Sequence, residues 1–146
     1  MVAAANPLHA SSIVIGGRAL LIAGRSGIGK SDLALRLIDR GATLLSDDYT
    51  RLDAEGGRLF ASPPPAIAGK IEVRGLGILE LPHVARAPVA LMLDLDRAPE
   101  RLPEDVLDVT SLEGISIPTL GFAPFEASAP IKAELALKRH GLGESQ

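Results

Sequence analysis

ALLIAGRSGIGKSDLALRLIDRG, residues 19–41, decides how this chain is read. The run from Ala19 to Ala23 is apolar at every position, as in a strand covered on both faces. From Lys30 onward the pattern changes. Leu33 and Leu37, and Ala34 and Ile38, recur four residues apart, with Asp32, Arg36, Asp39 and Arg40 between them. That spacing predicts an amphipathic helix, and Gly41 is placed to end it. Between strand and helix lies Gly24-Arg25-Ser26-Gly27-Ile28-Gly29-Lys30-Ser31, which matches G-x-x-x-x-G-K-[ST]. Glycines let backbone N–H groups converge on phosphate oxygens, and the helix that follows aims its positive dipole end at the same point. In such a loop Lys30 reaches the outer phosphates and the Ser31 hydroxyl ligates Mg²⁺. All eight residues are therefore candidates for nucleotide binding, with the Arg25 side chain expected to face solvent.

Outward from this unit the chain reads as more strand than helix. SIVI and the Ala19–Ala23 run flank Gly16-Gly17, a hairpin signal. ATLLS (42–46) predicts a second buried strand, and YTRL and RLFA flank a turn at 53–57. VALMLDLD (89–96) predicts a further strand, ISI (115–117) a short one, and PIKAELALKRH (130–140) a closing helix. Ser62-Pro63-Pro64-Pro65 predicts a stiff extended connection. Strands joined by hairpins differ from the strict alternation of a doubly wound sheet. The expected architecture is a single α/β domain, residues 1–146, built on a mixed, hairpin-rich sheet.

Composition narrows the function. The 146 residues are 47% hydrophobic and 23% charged, as in ordinary globular chains. There is no Cys, which removes disulfides, thiolate zinc sites and a Cys nucleophile. A net charge of −3, aromatics at 3% and no Trp argue against nucleic-acid binding. No apolar run approaches the ~20 residues of a membrane span, and the N-terminus lacks a signal-peptide pattern, so the cytoplasm is the simplest expected compartment.

Two further stretches carry chemistry. Asp47-Asp48 directly follows the 42–46 strand. If that strand neighbours the 19–23 strand, both open into one crevice, where α/β sheets bind ligands. Adjacent residues project differently, so one carboxylate would serve near a metal and the other as a general base. In IEVRGLGILEL (71–81), Glu72 and Arg74 share a face of an extended segment. Glu72 is a candidate metal ligand and Arg74 a candidate for neutralising phosphoryl charge.

His9, GRSGIGKSD (24–32), LIDRGATLLSDD (37–48) and IEVRGLGILEL together resemble the catalytic domain of the HPr kinase/phosphorylase family. The resemblance spans most of residues 9–118. It implies a P-loop domain similar to that of phosphoenolpyruvate carboxykinase. It implies an ATP- and Mg²⁺-dependent kinase acting on a seryl residue of the phosphocarrier protein HPr. A reverse reaction would use inorganic phosphate and release pyrophosphate. It assigns Asp48 as the acid/base residue, Ser31 and Glu72 to Mg²⁺ with Asp47 beside them, and Lys30 as the catalytic lysine. His9 matches a catalytic-site histidine and Arg101 a further catalytic arginine. The family pattern also implies a homohexamer. The chain looks like the short, single-domain form. It departs from the family after Ile117-Pro118, where an Arg/Gly-rich loop is replaced by TLGFAPFEAS and no basic residue lies between Arg101 and Lys132. That departure predicts phosphorolysis weaker than the kinase reaction. The alternatives are a small-molecule kinase or NTPase on the same domain, or a non-catalytic nucleotide-sensing regulator.

Overall fold

Gly16 and Gly17 take φ of 57° and 81°, the left-handed pair that a two-residue hairpin turn requires. They join β1 (Ala10–Ile15) to β2 (Arg18–Ala23), paired antiparallel from Ala10↔Ala23 to Ile15↔Arg18. The structure, a computed structural model, describes residues 5–143. After the glycine-rich loop, α1 (Lys30–Asp39) returns the chain to β3 (Thr43–Ser46). The hairpin of β4 (Arg51–Glu55) and β5 (Arg58–Ser62) follows. Next come the ribbon of β6 (Lys70–Val73) and β7 (Gly77–Glu80) and the long β8 (Ala87–Asp94). The chain closes with the hairpin of β9 (Val109–Leu112) and β10 (Ile115–Gly121), then α2 (Ala129–His140).

Among the described residues the main sheet runs β3-β1-β2-β8-β10-β9, with β5 of the β4–β5 hairpin attached to β8. β2, β8 and β10 are parallel to their neighbours in this centre, and the flanks are antiparallel. The mixed, hairpin-rich sheet is the expected fold class. Burial divides by strand alternation. Leu20, Ile22, Leu91 and Leu93 face α1 and α2, packing on Leu33, Leu37, Ala133 and Leu137. Ala19, Leu21, Val89 and Met92 face the other way, against Leu52, Leu59 and Ile117. Covering on both faces is what makes β2 and β8 read as unbroken apolar runs. A register shift opposite Ala19/Leu20 places both Val89 and Leu91 inside, on opposite faces.

Several expectations need correction. β3 does not neighbour β2; β1 lies between them, antiparallel to both. β2 and β3 therefore still run in the same direction, and their carboxyl ends open on one side of the sheet. The turn of the β4–β5 hairpin is only Gly56-Gly57, because Asp53 to Glu55 stay paired with Phe60 to Arg58. IEVRGLGILEL is not one extended segment: it folds back at Arg74-Gly75-Leu76 into the β6–β7 ribbon. Of the three prolines, Pro64 is extended, with φ −57° and ψ 137°, but Pro65 opens a 3₁₀ turn over Pro65–Ile67. β8 starts and ends two residues earlier than expected, since Ala87 and Pro88 pair with β5. β9 carries one buried residue, Leu112, and so leaves little hydrophobic signal.

Candidate active site

The phosphate loop hangs between the buried end of β2 and the first turn of α1. Gly29, the N-cap of α1, has φ of 106° and no side-chain cap. A Cβ on it would lie 2.8 Å from Cζ of Phe125, so only glycine fits there without displacing the ring. The first-turn N–H groups of α1 are thus left for a ligand rather than a cap. Lys30 is 4% exposed and folds back along the loop. Its Nζ donates to the carbonyls of Gly24 (2.8 Å) and Arg25 (2.9 Å) and stands 3.9 Å from Asp48 Oδ1. Burial lowers the pKa of this ammonium from its ordinary value, while the nearby carboxylates of Asp48, Asp96 and Asp47 act in the opposite sense.

Asp47 and Asp48 lie on a short excursion clamped at both ends. On one side Ser46 pairs with Ser12 of β1. On the other, Leu8 and Thr50 exchange backbone hydrogen bonds of 2.8 and 2.9 Å. Thr50 Oγ1 also donates to the Ala10 carbonyl at 2.8 Å, fixing the same junction. Between the clamps Asp48 adopts φ of 67°, and the two carboxylates diverge. Asp47 is buried. Its Oδ1 accepts the hydroxyls of Ser31 (2.5 Å) and Ser11 (2.9 Å), and its Oδ2 accepts the Glu72 N–H (3.0 Å). Asp48 is half exposed; its Oδ1 accepts from His9 Nε2 at 2.9 Å. The His9 ring stacks on Tyr49 at 4.9 Å between centroids, 17° from parallel. The two carboxylates thus lie in different surroundings: one is locked in the protein, the other is presented to the opening.

These groups border a cleft of about 540 Å³, walled by the phosphate loop, both aspartates, Glu72, Arg74 and Phe125. Lys30, Ser31, Asp47, Asp48, Glu72 and Arg74 are therefore brought together, with His9 behind Asp48. Among the described residues no three carboxylate or imidazole groups gather into a ready metal cluster. The Glu72 contact with Asp47 is made by its backbone N–H. Arg101 does not line the cleft; it is exposed on the connection between β8 and β9. The Arg25 guanidinium is exposed as expected and pairs with Asp96 Oδ1 at 2.7 Å, while its backbone N–H donates to Asp96 Oδ2 at 3.1 Å.

Asp96, Ser11, Tyr49 and Phe125 are the residues that sequence reasoning missed. Asp96 ties the phosphate loop to the end of β8. The polar pair Ser11-Ser12 opening an otherwise apolar strand was a legible signal, since buried hydroxyls require partners. Phe125 carried none: its segment is tied to α1 by Arg36, which donates to the carbonyls of Pro124 and Glu126.

The donor chemistry fits a Mg²⁺–nucleotide. Ser31 and Asp47 offer hard oxygens close together, which suit Mg²⁺. Lys30 and the uncapped end of α1 offer the positive charge that phosphates need.

Residues 1–86 match the family described as the HPr Serine kinase C-terminal domain. HPr kinase/phosphorylase of Clostridium tetani is 44% identical over 77 residues, 53% of this chain and 25% of that protein. The protein of the same name from Mycoplasmopsis pulmonis is 38% identical over 74 residues. The match spans about a quarter of the length of these curated relatives. The structure titled Hpr(Ser) kinase/phosphatase from Coxiella burnetii superposes with a TM-score of 0.77 at 32% identity, covering 90% of this chain and 93% of that one. A structural match of that extent, with a family match over the segment that holds the loop and both aspartates, places this chain in the HPr serine kinase C-terminal domain family.

Proposed function

We propose that this chain carries out Mg²⁺- and ATP-dependent phosphorylation of a serine on the phosphocarrier protein HPr, with phosphorolysis as a slower reverse reaction that releases pyrophosphate. The observation that carries the reading is Asp48. It is a half-exposed carboxylate at the mouth of a phosphate-loop cleft, hydrogen-bonded to His9 and 3.9 Å from the loop lysine. ATP and Mg²⁺, when bound, would supply the transferable phosphoryl group and the charge that offsets it. Asp48 accepts the proton of the serine hydroxyl as the serine oxygen bonds to the γ-phosphorus and the bond to ADP breaks; in reverse it returns the proton to the serine oxygen as the phosphoryl group passes to inorganic phosphate and forms pyrophosphate. His9, its ring braced on Tyr49, orients that carboxylate. Lys30 leaves its carbonyl partners for the phosphate oxygens, where negative charge moves in the transition state. Ser31 and Asp47 would hold Mg²⁺, with Glu72 as a further ligand. Arg74 and the phosphate loop, Gly24 to Ser31, complete the phosphate contacts.

An open cleft with an exposed base suits a serine presented on a protein surface better than an enclosed small metabolite. Among the described residues no helix is long and apolar enough to cross a membrane. On this reading the partner is a cytoplasmic phosphocarrier and the assembly a homohexamer. The test incubates the protein with HPr, ATP and Mg²⁺, and separately with serine-phosphorylated HPr and inorganic phosphate. Phosphoserine on HPr supports the reading. ATP binding or hydrolysis without transfer to HPr would favour a plain NTPase or a nucleotide sensor.

A further inference from the structure

The excursion that carries Asp47 and Asp48 is clamped at its ends by backbone pairing, and its middle is held by the Tyr49 N–H donating to the Asp47 carbonyl at 2.7 Å, by Ser46 Oγ donating to the Tyr49 carbonyl, and by one side chain from β1. Ser11 of β1 is fully buried. Its hydroxyl has one proton, and that proton goes to Asp47 Oδ1 at 2.9 Å. Its lone pair accepts the Asp48 N–H at 3.0 Å. A single hydroxyl therefore joins the side chain of the first aspartate to the backbone of the second. Together with the Tyr49 N–H to Asp47 carbonyl bond that closes across it, the Ser11 bond holds Asp48 at φ of 67°, a region uncommon for a non-glycine residue. His9, two residues earlier on the same side of the segment, meets the Asp48 carboxylate. The backbone of Asp48 is thus held by residue 11 and its side chain by residue 9.

We infer that Ser11 is a positioning residue for phosphoryl transfer. With the turn bond from Tyr49 to Asp47, it holds the left-handed backbone of Asp48, so that one carboxylate projects into the cleft while its neighbour stays turned toward Ser31. The inference rests on the reading of Asp48 as the base. Asp47 keeps two other partners, the Ser31 hydroxyl and the Glu72 N–H, if Ser11 is removed. Asp48 N–H keeps none that the structure provides. Loss of the Ser11 hydroxyl should therefore act on the rate through Asp48 and leave nucleotide binding nearly intact.

The experiment measures phosphoryl transfer to HPr by wild type, Ser11→Ala, Asp48→Asn and the double variant, together with MgADP affinity and hydrogen exchange at the Asp48 amide. Ser11→Ala is expected to lower kcat about tenfold or more, the scale of a lost hydrogen bond that leaves a buried donor unpaired. MgADP affinity should change less than threefold, and the Asp48 amide should exchange faster. In the Asp48→Asn background the same substitution should change kcat less than twofold, because its effect passes through that carboxylate. Ser11→Thr, which restores the hydroxyl, should recover most of the rate. If Ser11→Ala fails to fold, Ser11→Cys repeats the cycle with a side chain of similar size and weak hydrogen bonding. A kcat within twofold of wild type, or equal losses in both backgrounds, would overturn the inference. A wild type that binds ATP but transfers nothing overturns the functional reading instead, and the Asp48 exchange rate then decides whether Ser11 locks this backbone.

Discussion

Asp47 and Asp48 are chemically identical and adjacent, yet they lie in different surroundings. Asp47 is surrounded by three donors and is buried; Asp48 faces the cleft with His9 behind it. Asp48→Asn is expected to keep MgATP affinity within a few-fold and to lose roughly 10²–10⁴ in transfer rate, the usual contribution of a general base. Asp47→Asn should be milder in rate at saturating Mg²⁺, but it turns an amide donor against a hydrogen-bonding partner. A shift of apparent Mg²⁺ affinity and a loss of about 1–3 kcal/mol in stability are expected. Steady-state kinetics and denaturant unfolding separate the two outcomes. Lys30 offers a test of electrostatics. Its pKa in the folded protein lies below the ordinary 10.5, chiefly through burial. Between the lowered value and 10.5 the unfolded chain binds more protons, so folding gains stability as pH rises through that window. Lys30→Met removes the term. The difference in unfolding free energy, wild type minus variant, should rise with pH in that range. A flat difference would place the ammonium in a more solvated setting than the geometry indicates. The same variant should abolish phosphoryl transfer.

Elements place these residues. β1 is the scaffold of the site as well as a sheet strand, because its amino-terminal half pairs with the junctions on either side of the aspartate excursion. The register shift between Ser12 and Ile13 marks where regular β1–β3 pairing yields to that excursion. At α1 the decisive feature is the bare N-cap. Gly29→Ala puts a Cβ 2.8 Å from the Phe125 ring at a φ of 106°. The strain is about 1–3 kcal/mol, so nucleotide affinity should fall roughly tenfold. Adding Phe125→Ala relieves the clash but not the backbone conformation, so only part of the affinity should return in a calorimetric titration. Full recovery would assign the whole effect to the ring.

In the whole molecule, the parallel core β2-β8-β10 is sandwiched between two helices and the β4–β5 side, and it fixes where the loop leaves the sheet. Leu91 of β8 is fully buried on the helix side. Leu91→Ala should cost about 2–5 kcal/mol, read as a lower denaturant midpoint, and should leave MgADP affinity of the folded fraction unchanged. On the proposed function, the balance of the two reactions also belongs to the whole molecule. Phosphorolysis brings two anions together, phosphate and phosphoserine, which repel more strongly as water leaves. Arg74 lines the cleft, whereas Arg101 stands exposed on the connection that begins beside Asp96. Wild type should phosphorylate faster than it phosphorolyses, and Arg74→Ala should depress phosphorolysis before the kinase reaction. A phosphorolysis rate equal to the kinase rate in wild type would show that Arg74 suffices without an arginine-rich loop.

What the amino-acid sequence determined by itself was local. Residues 19–41 carry an apolar run, a glycine-lysine turn and a four-residue helical repeat within one stretch, so the strand, loop and helix around the phosphate site were legible from pattern alone. The Gly-Gly hairpin was legible for the same reason, since positive φ is written into the residue type. Only the tertiary structure decided the rest. That β1 separates β2 from β3 depends on strand order, which no local period encodes. That Asp47 is buried while Asp48 is not depends on Ser11 and Ser31, which are 36 and 16 residues away. The segment of Phe125 is tied to α1 by Arg36, 88 residues from Pro124. Those contacts form only when the sheet has brought distant segments into register, because side-chain hydrogen bonds act over a few ångströms and not along the chain.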